Sequence, residues 1–220
     1  MRNKAVEQWI EHFNTSFASA ETIDLHSLFQ EKFFWRDILC ISWNLNTFET
    51  QQQVTAALKQ NKATLPLKID DYYDVKRAGG IVECFLDLSC GIGRGKGYVR
   101  LKGGKAWTLL TTLEELQGHE EKRGEQRIFG TRHGAHKNRR IWHEEKQMEE
   151  EALGYSKQPY CLVVGGGQAG IILATRLKKL GVPTIVLEKN KRAGDSWRNR
   201  YRFLTLHDPI WYDHFPYIPF

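Results

Sequence analysis

Gly165-Gly-Gly167-Gln168-Ala169-Gly170 has the spacing G-x-G-x-x-G, and Glu188 follows about 20 residues later. In such a run the first glycine permits a tight turn, and the second lets the backbone approach a pyrophosphate. The third allows a helix to lie close against a strand. The free N–H groups at the start of that helix favour an anion there. An acid at the position of Glu188 suits the two hydroxyls of an adenosine ribose and repels a 2′-phosphate, so the pattern predicts FAD or NAD rather than NADP at this site. Gln168 and Ala169 inside the run, and Lys189 beside the acid, are counted with the cofactor contacts.

These residues need a scaffold. Tyr160-Cys-Leu-Val-Val164 reads as a short buried strand, Ile171 to Leu180 as an apolar-faced helix, and Thr184-Ile-Val-Leu187 as a second strand after the break at Gly181-Val-Pro183. Strand, glycine turn, helix and strand make a βαβ unit. Upstream the texture differs. Val6, Trp9, Ile10, Phe13 and Phe17 mark one face of a first helix, and Leu25 to Trp35 forms a second apolar cluster packing on it, before Asp37 to Trp43 turns towards strand or loop. Gln51 to Lys62 carries Val54, Ala57 and Leu58 on one side and is ended by Pro66. Ile81–Ser89, Gly97–Lys102 and Lys105–Thr112 are β-rich runs separated by Gly91-Ile-Gly-Arg-Gly95 and Gly103-Gly104, as in an antiparallel meander. The expected organisation is an α+β domain over 1–117, a charged linker over 118–158 with a short helix near its end, and the start of a dinucleotide-binding α/β domain over 159–220.

The segment after Glu188 carries further detail: Lys189-Asn-Lys-Arg192-Ala-Gly194-Asp-Ser-Trp197-Arg198, then Leu204-Thr-Leu-His207-Asp-Pro209 and Phe215-Pro-Tyr-Ile-Pro219-Phe220. It resembles the flavin-containing monooxygenase family, and the Leu-x-Leu-His-x-Pro part is most similar to its YUCCA-type branch. The resemblance implies FAD held by Gly165, Gly167, Gly170 and Glu188, with Trp197, Arg198 and His207 as neighbours. It also implies NADPH as reductant, a flavin C4a-hydroperoxide as oxidant and a small organic substrate. Asp195 departs from the family pattern, which has a second glycine there. The first domain is similar to NTF2-like, or SnoaL-like, cone-shaped α+β domains by its order of elements and by Trp35-Arg-Asp37 and Trp43. That similarity implies a homodimer through this domain. The family's second glycine-rich motif, which serves NADPH, is not found in these residues, so the chain reads as a truncated N-terminal fragment that is inactive alone. The alternative is a non-catalytic ligand-binding or dimerisation module followed by a remnant βαβ segment.

Composition narrows the remaining possibilities. The net charge is +6, but the first 117 residues balance 14 cations against 14 acids, and acids interrupt the later surplus, so no nucleic-acid partner is expected. No apolar run approaches the roughly 20 residues needed to cross a bilayer, and the N-terminus has no signal-peptide core, so a cytoplasmic protein without a membrane span is expected. Cys40, Cys84, Cys90 and Cys161 lack metal-ligand spacing and read as reduced. His133, His136 and His143 form a poor zinc set, and no metal is expected. Asp37, Asp70, Asp71 and Asp74, with His12 and His26, are the groups a second, proton-transferring site would use. They are read instead as solvated surface.

Overall fold

The computed structural model describes residues 2–19, 23–127, 134, 137–205 and 207–218. The chain divides into two compact units between Glu120 and Glu121. Among the described residues no helix is long and apolar enough to cross a membrane.

The first unit opens with α1 (Lys4–Ser16), started by the Asn3 side chain, which accepts from the N–H of Ala5. Val6, Trp9 and Phe13 recur every three or four residues and are buried on one face. The short α2 (Leu25–Leu28), capped by Asp24, leads into β1 (Phe29–Ile38). There follow β2 (Leu45–Phe48), α3 (Gln51–Gln60), β3 (Lys68–Ala78), β4 (Ile81–Cys90), β5 (Gly93–Lys102) and β6 (Lys105–Leu116). Thr50 and Gln53 close a capping box at the start of α3. The strands form one sheet in the order β2-β1-β6-β5-β4-β3, antiparallel throughout except where β1 runs parallel to β6. Its inner face and the helices enclose an aromatic core in which Phe29 stacks on Trp35 and the edge of Phe17 meets the Trp35 ring.

Three local expectations are corrected. Residues 29–38 are a strand rather than a cluster preceding one, because Phe33, Trp35 and Asp37 are buried at the period of two while Arg36 points out. β3 is an extra, edge strand. Its outward residues are charged on both sides of Tyr72 and Tyr73, so no apolar alternation announced it. The glycine stretch 91–95 is only partly a turn: β5 begins at Gly93, where a side chain would strike the Glu115 carbonyl oxygen at 1.9 Å, so the glycine serves close strand contact.

The second unit contains α4 (Trp142–Ala152), β7 (Cys161–Val164), α5 (Gln168–Lys179), β8 (Thr184–Leu187) and the single turn α6 (Asp195–Arg198). β7 and β8 pair in parallel, Cys161 opposite Thr184 and Val164 opposite Leu187, with α5 as the crossover between them. Val163 is the buried apolar side chain of this unit among its described residues, whereas Leu162, Val164 and Leu187 are exposed.

Candidate functional site

The turn joining β7 to α5 is shaped by two glycines. Gly165 has φ of 104°, in the region that side chains avoid, and its N–H donates to the Leu187 carbonyl at 2.7 Å. Gly170 lies against the same turn: a Cβ there would fall 1.8 Å from the Gly165 carbonyl oxygen. Gly167 is the residue before the first turn of α5 and accepts from the N–H of Ile171 at 3.0 Å. Its own missing side chain would meet only the Ser196 hydroxyl, at 3.3 Å. The three glycines therefore act differently: one bends the chain, one admits the helix, and one keeps the mouth of the turn open.

Glu188, directly after β8, reaches back to this turn. Its Oε2 accepts from the N–H of Gly166 at 2.6 Å, and its Oε1 accepts from the N–H of Asn190 at 2.8 Å and from the Asn190 side-chain amide at 2.6 Å. The amides of Asn190 and Gly166 hold the carboxyl below its ordinary pKa, so it is an anion at neutral pH. Of roughly four acceptor positions on a carboxylate, three are engaged. A ribose diol could use the last one at once, and a second hydroxyl would have to displace the Asn190 side chain, which leaves the backbone bonds intact.

An open cleft of about 560 Å³ lies along this wall. Four of the residues expected from sequence line it: Gly165, Gly167, Glu188 and Lys189. Four others were missed: Val164, Leu187, Asn190 and Ser196. Val164 and Leu187 are the last residues of the two strands, so the crevice at the carboxyl ends of parallel strands would have pointed to them. Gln168, Ala169 and Gly170 form the first turn of α5 rather than the wall.

The segment after β8 is tied to the glycine turn by its backbone, the N–H of Gly194 donating to the Gly166 carbonyl at 2.8 Å. Gly194 takes the left-handed conformation, and α6 starts at Asp195. The Asp195 side chain is buried and accepts from Arg192 Nε at 3.0 Å and from Arg198 Nη1 at 2.9 Å. Arg198 first, then Arg192, lowers its pKa. Arg198 also donates to the Ala193 carbonyl at 2.8 Å, so its role here is to close the loop. Trp197 is 41% exposed and lies under the Arg200 guanidinium, 4.8 Å from the ring centre. His207 is exposed. Neither residue lines the cleft. Leu206, Pro219 and Phe220 of the quoted motifs lie outside the described residues.

In the first unit the expectation for Asp37 is corrected: it is wholly buried. Its carboxylate accepts from Thr111 Oγ1 at 2.8 Å, from the N–H groups of Ile41 and Ser42, and from Ser42 Oγ at 2.8 Å. Trp35 Nε1 in turn donates to Thr111 Oγ1 at 2.9 Å. This is a saturated structural carboxyl group holding the loop after β1, with no histidine among the described residues bonded to it to form an acid–base pair. Asp70, Asp71, Asp74, His12 and His26 are exposed, and His26 Nδ1 meets the Gln51 amide at 2.9 Å. His133 and His136 lie outside the described residues. Among the described residues no group of three or more His, Cys, Asp or Glu is placed to hold a metal ion.

No family model matches the chain. Over 55 residues it is 40% identical to an uncharacterized oxidoreductase, CzcO-like, of Geobacillus kaustophilus, a match covering 25% of this chain and 16% of that protein. The uncharacterized oxidoreductase CzcO of Bacillus velezensis is 42% identical over 55 residues, with the same coverage. The probable indole-3-pyruvate monooxygenase YUCCA3 of Arabidopsis thaliana is 40% identical over 60 residues, covering 27% of this chain and 14% of that one. The matched part thus spans about one sixth of the length of these curated relatives. Among solved structures, an NTF2-like protein from Shewanella baltica aligns with 50% of this chain and 92% of its own, at 13% identity and a TM-score of 0.39. A putative isomerase of the SnoaL-like family from Agrobacterium tumefaciens aligns with 51% of this chain and 100% of its own, at 10% identity and a TM-score of 0.37. The chain is therefore similar, over short stretches, to oxidoreductases and a monooxygenase, and its NTF2-like and SnoaL-like structural neighbours cover about half of it.

Proposed function

We propose that the second unit holds the adenosine-diphosphate end of FAD, and that the chain serves a flavin-dependent, NADPH-using monooxygenase acting on a small organic substrate. The observation that carries this reading is the placement of the Glu188 carboxylate. It is locked by the Gly166 N–H on the wall of a cleft whose other walls are Gly165, Gly167 and the strand ends. Short identity to oxidoreductases and to a monooxygenase supports the same class. Bound FAD would supply the redox chemistry, passing reducing equivalents from NADPH to dioxygen so that one oxygen atom enters the substrate. The chain's own residues bind and orient it. Gly167 leaves room for the pyrophosphate against the start of α5, Glu188 receives the ribose, and its charge turns away a 2′-phosphate.

Saturation-transfer NMR on the full chain, suited to weak binding, tests this with FAD, ADP and 2′,5′-ADP as probes. Transfer to FAD and ADP, lost in Gly167→Trp and reduced in Glu188→Ala, is expected, with 2′,5′-ADP giving less. No transfer from FAD or ADP at millimolar concentration, or transfer indifferent to Gly167→Trp, overturns the assignment.

The homodimer belongs to a second reading, in which the first unit is an interaction module. What supports it is a ladder of aromatic rings on the outer sheet face, Tyr73 on Phe85 and Phe85 beside Tyr98. The ligand-binding form of that reading is less favoured, because Trp35, Phe13, Phe17 and Phe33 fill the interior. Sedimentation of the full chain decides it: a dimer made monomeric by Phe85→Asp supports the reading, and a monomer throughout removes it.

A further inference from the structure

The two oxygens of the Glu188 carboxylate are unequal. Oε1 accepts twice from Asn190, from the backbone N–H at 2.8 Å and from the side-chain amide at 2.6 Å, whereas Oε2 accepts once, from the N–H of Gly166 at 2.6 Å. A carboxylate oxygen offers about two acceptor positions, so Oε2 keeps one vacant and Oε1 keeps none. Asn190 and Glu188 are both half-buried and both line the cleft. The amide that fills Oε1 therefore comes from the cleft wall itself.

A diol that binds this carboxylate with one hydroxyl on each oxygen meets two different situations. The hydroxyl on Oε2 uses the vacant position. The hydroxyl on Oε1 needs a position that Asn190 already fills. The backbone N–H of Asn190 cannot withdraw without unwinding the turn after β8, but the side chain can, by changing rotamer. Amide and hydroxyl are alike in the respect that counts here, since each donates one hydrogen to the same charged oxygen.

We propose that the Asn190 side chain is a built-in stand-in for one ribose hydroxyl and sets how strongly the cleft distinguishes ribose from deoxyribose. The inference rests on the reading of this cleft as a site for the adenosine-diphosphate end of a nucleotide. While the cleft is empty, the amide keeps Oε1 satisfied. When the nucleotide enters, one hydroxyl takes that place and the amide turns out to water. One charge-assisted bond then replaces another, and the exchange is nearly neutral. The second hydroxyl fills the vacant position on Oε2 and stabilises the complex in full. The unsubstituted site is thus nearly blind to one of the two hydroxyls. Without the amide, Oε1 faces water, and the same hydroxyl adds a hydrogen bond to a charged group, worth about tenfold or more in affinity.

Titrations of the full chain with ADP, 2′-deoxy-ADP and 3′-deoxy-ADP test this, in the unsubstituted protein and in Asn190→Ala, which retains the backbone N–H to Glu188. In the unsubstituted chain one of the two deoxynucleotides should bind within about threefold of ADP. In Asn190→Ala, ADP should tighten while that analogue does not, opening the ratio to about tenfold or more. A side chain that merely caps the turn would alter all three ligands alike, so a ratio equal in the two proteins overturns the proposal and leaves the nucleotide site standing. No binding of ADP to either protein at millimolar concentration overturns the site and this inference with it. A measurement on the unsubstituted chain stands apart from folding of the variant: saturating ADP should move the Asn190 side-chain amide resonances towards those of a solvated amide, and the indifferent deoxynucleotide should leave them in place. Resonances unmoved by bound ADP overturn the proposal equally.

Discussion

Gly170→Ala is the smallest change that probes how the cleft is built. The added methyl would stand 1.8 Å from the Gly165 carbonyl oxygen and 3.0 Å from its carbonyl carbon. An ordinary carbon–oxygen contact is about 3.4 Å, so helix and turn must part by roughly 1.5 Å, the kind of overpacking that costs about 1–3 kcal/mol. No flexible side chain can absorb it, because both parties are backbone. The bonds nearest the strain are the Gly165 N–H to Leu187 and the Ile171 N–H to Gly167. Hydrogen exchange at Ile171 to Thr175 should therefore lose roughly 5- to 150-fold of its protection, following local opening of this unit. Gly167→Ala is the control. Its methyl meets a single rotatable hydroxyl, Ser196 Oγ, at 3.3 Å, and exchange should change less than twofold while nucleotide binding falls. Unchanged protection in Gly170→Ala, or equal damage from both substitutions, would refute this division of labour between the glycines.

Asp37→Asn keeps shape but turns one acceptor into a donor facing the Ser42 N–H, so denaturant unfolding of the first unit should show a loss of about 2–4 kcal/mol. Glu188 has a folded pKa below its unfolded value of ~4.3, so its grip on Gly166 is complete above that pH and is lost only as pH falls through the lowered folded value. The Gly166 amide resonance should be constant from pH 8 to 5, and a titration within that range would contradict the bond. Asp195→Asn removes the charge shared by Arg192 and Arg198, and exchange at Trp197 and Arg198 should quicken while α5 is unaffected.

The glycine turn and Glu188 were legible because each is dictated locally: a backbone bend, a close approach and an acid one strand later leave a spacing that no packing detail can disguise. The strand ends Val164 and Leu187 were not, since their place in the cleft follows from the parallel pairing of β7 with β8 rather than from residue type. Asn190 and Ser196 are ordinary loop residues until Glu188 and Gly167 are folded against them. In the first unit, α1 stood out through its period, whereas β1 was masked by three consecutive aromatics, Phe33, Phe34 and Trp35, which fit either period. Asp37 defeated the usual rule for acids because half of its partners are main-chain N–H groups of nearby residues and another, the Thr111 hydroxyl, is distant in sequence, neither of which sequence displays.

Asp195 shows how a departure from a motif can be accommodated. A glycine would leave the loop after β8 free to choose its conformation, whereas here Gly194 already supplies the left-handed turn and the aspartate closes it by drawing two arginines onto one buried carboxylate. The loop is thereby closed on itself, and the Gly194 N–H holds it to the glycine turn. That closure matters because the unit has little core to lend: Val163 is buried, but Val164 is 82% exposed and Leu187 51%. Where apolar packing is thin, the cleft must be kept in shape by polar staples, Glu188 to Gly166 on one side and Asp195 to its arginines on the other. On the proposed function, a nucleotide entering such a cleft would meet donors and acceptors already placed, so the conformational cost of binding would fall mainly on the Asn190 side chain rather than on the backbone of the turn.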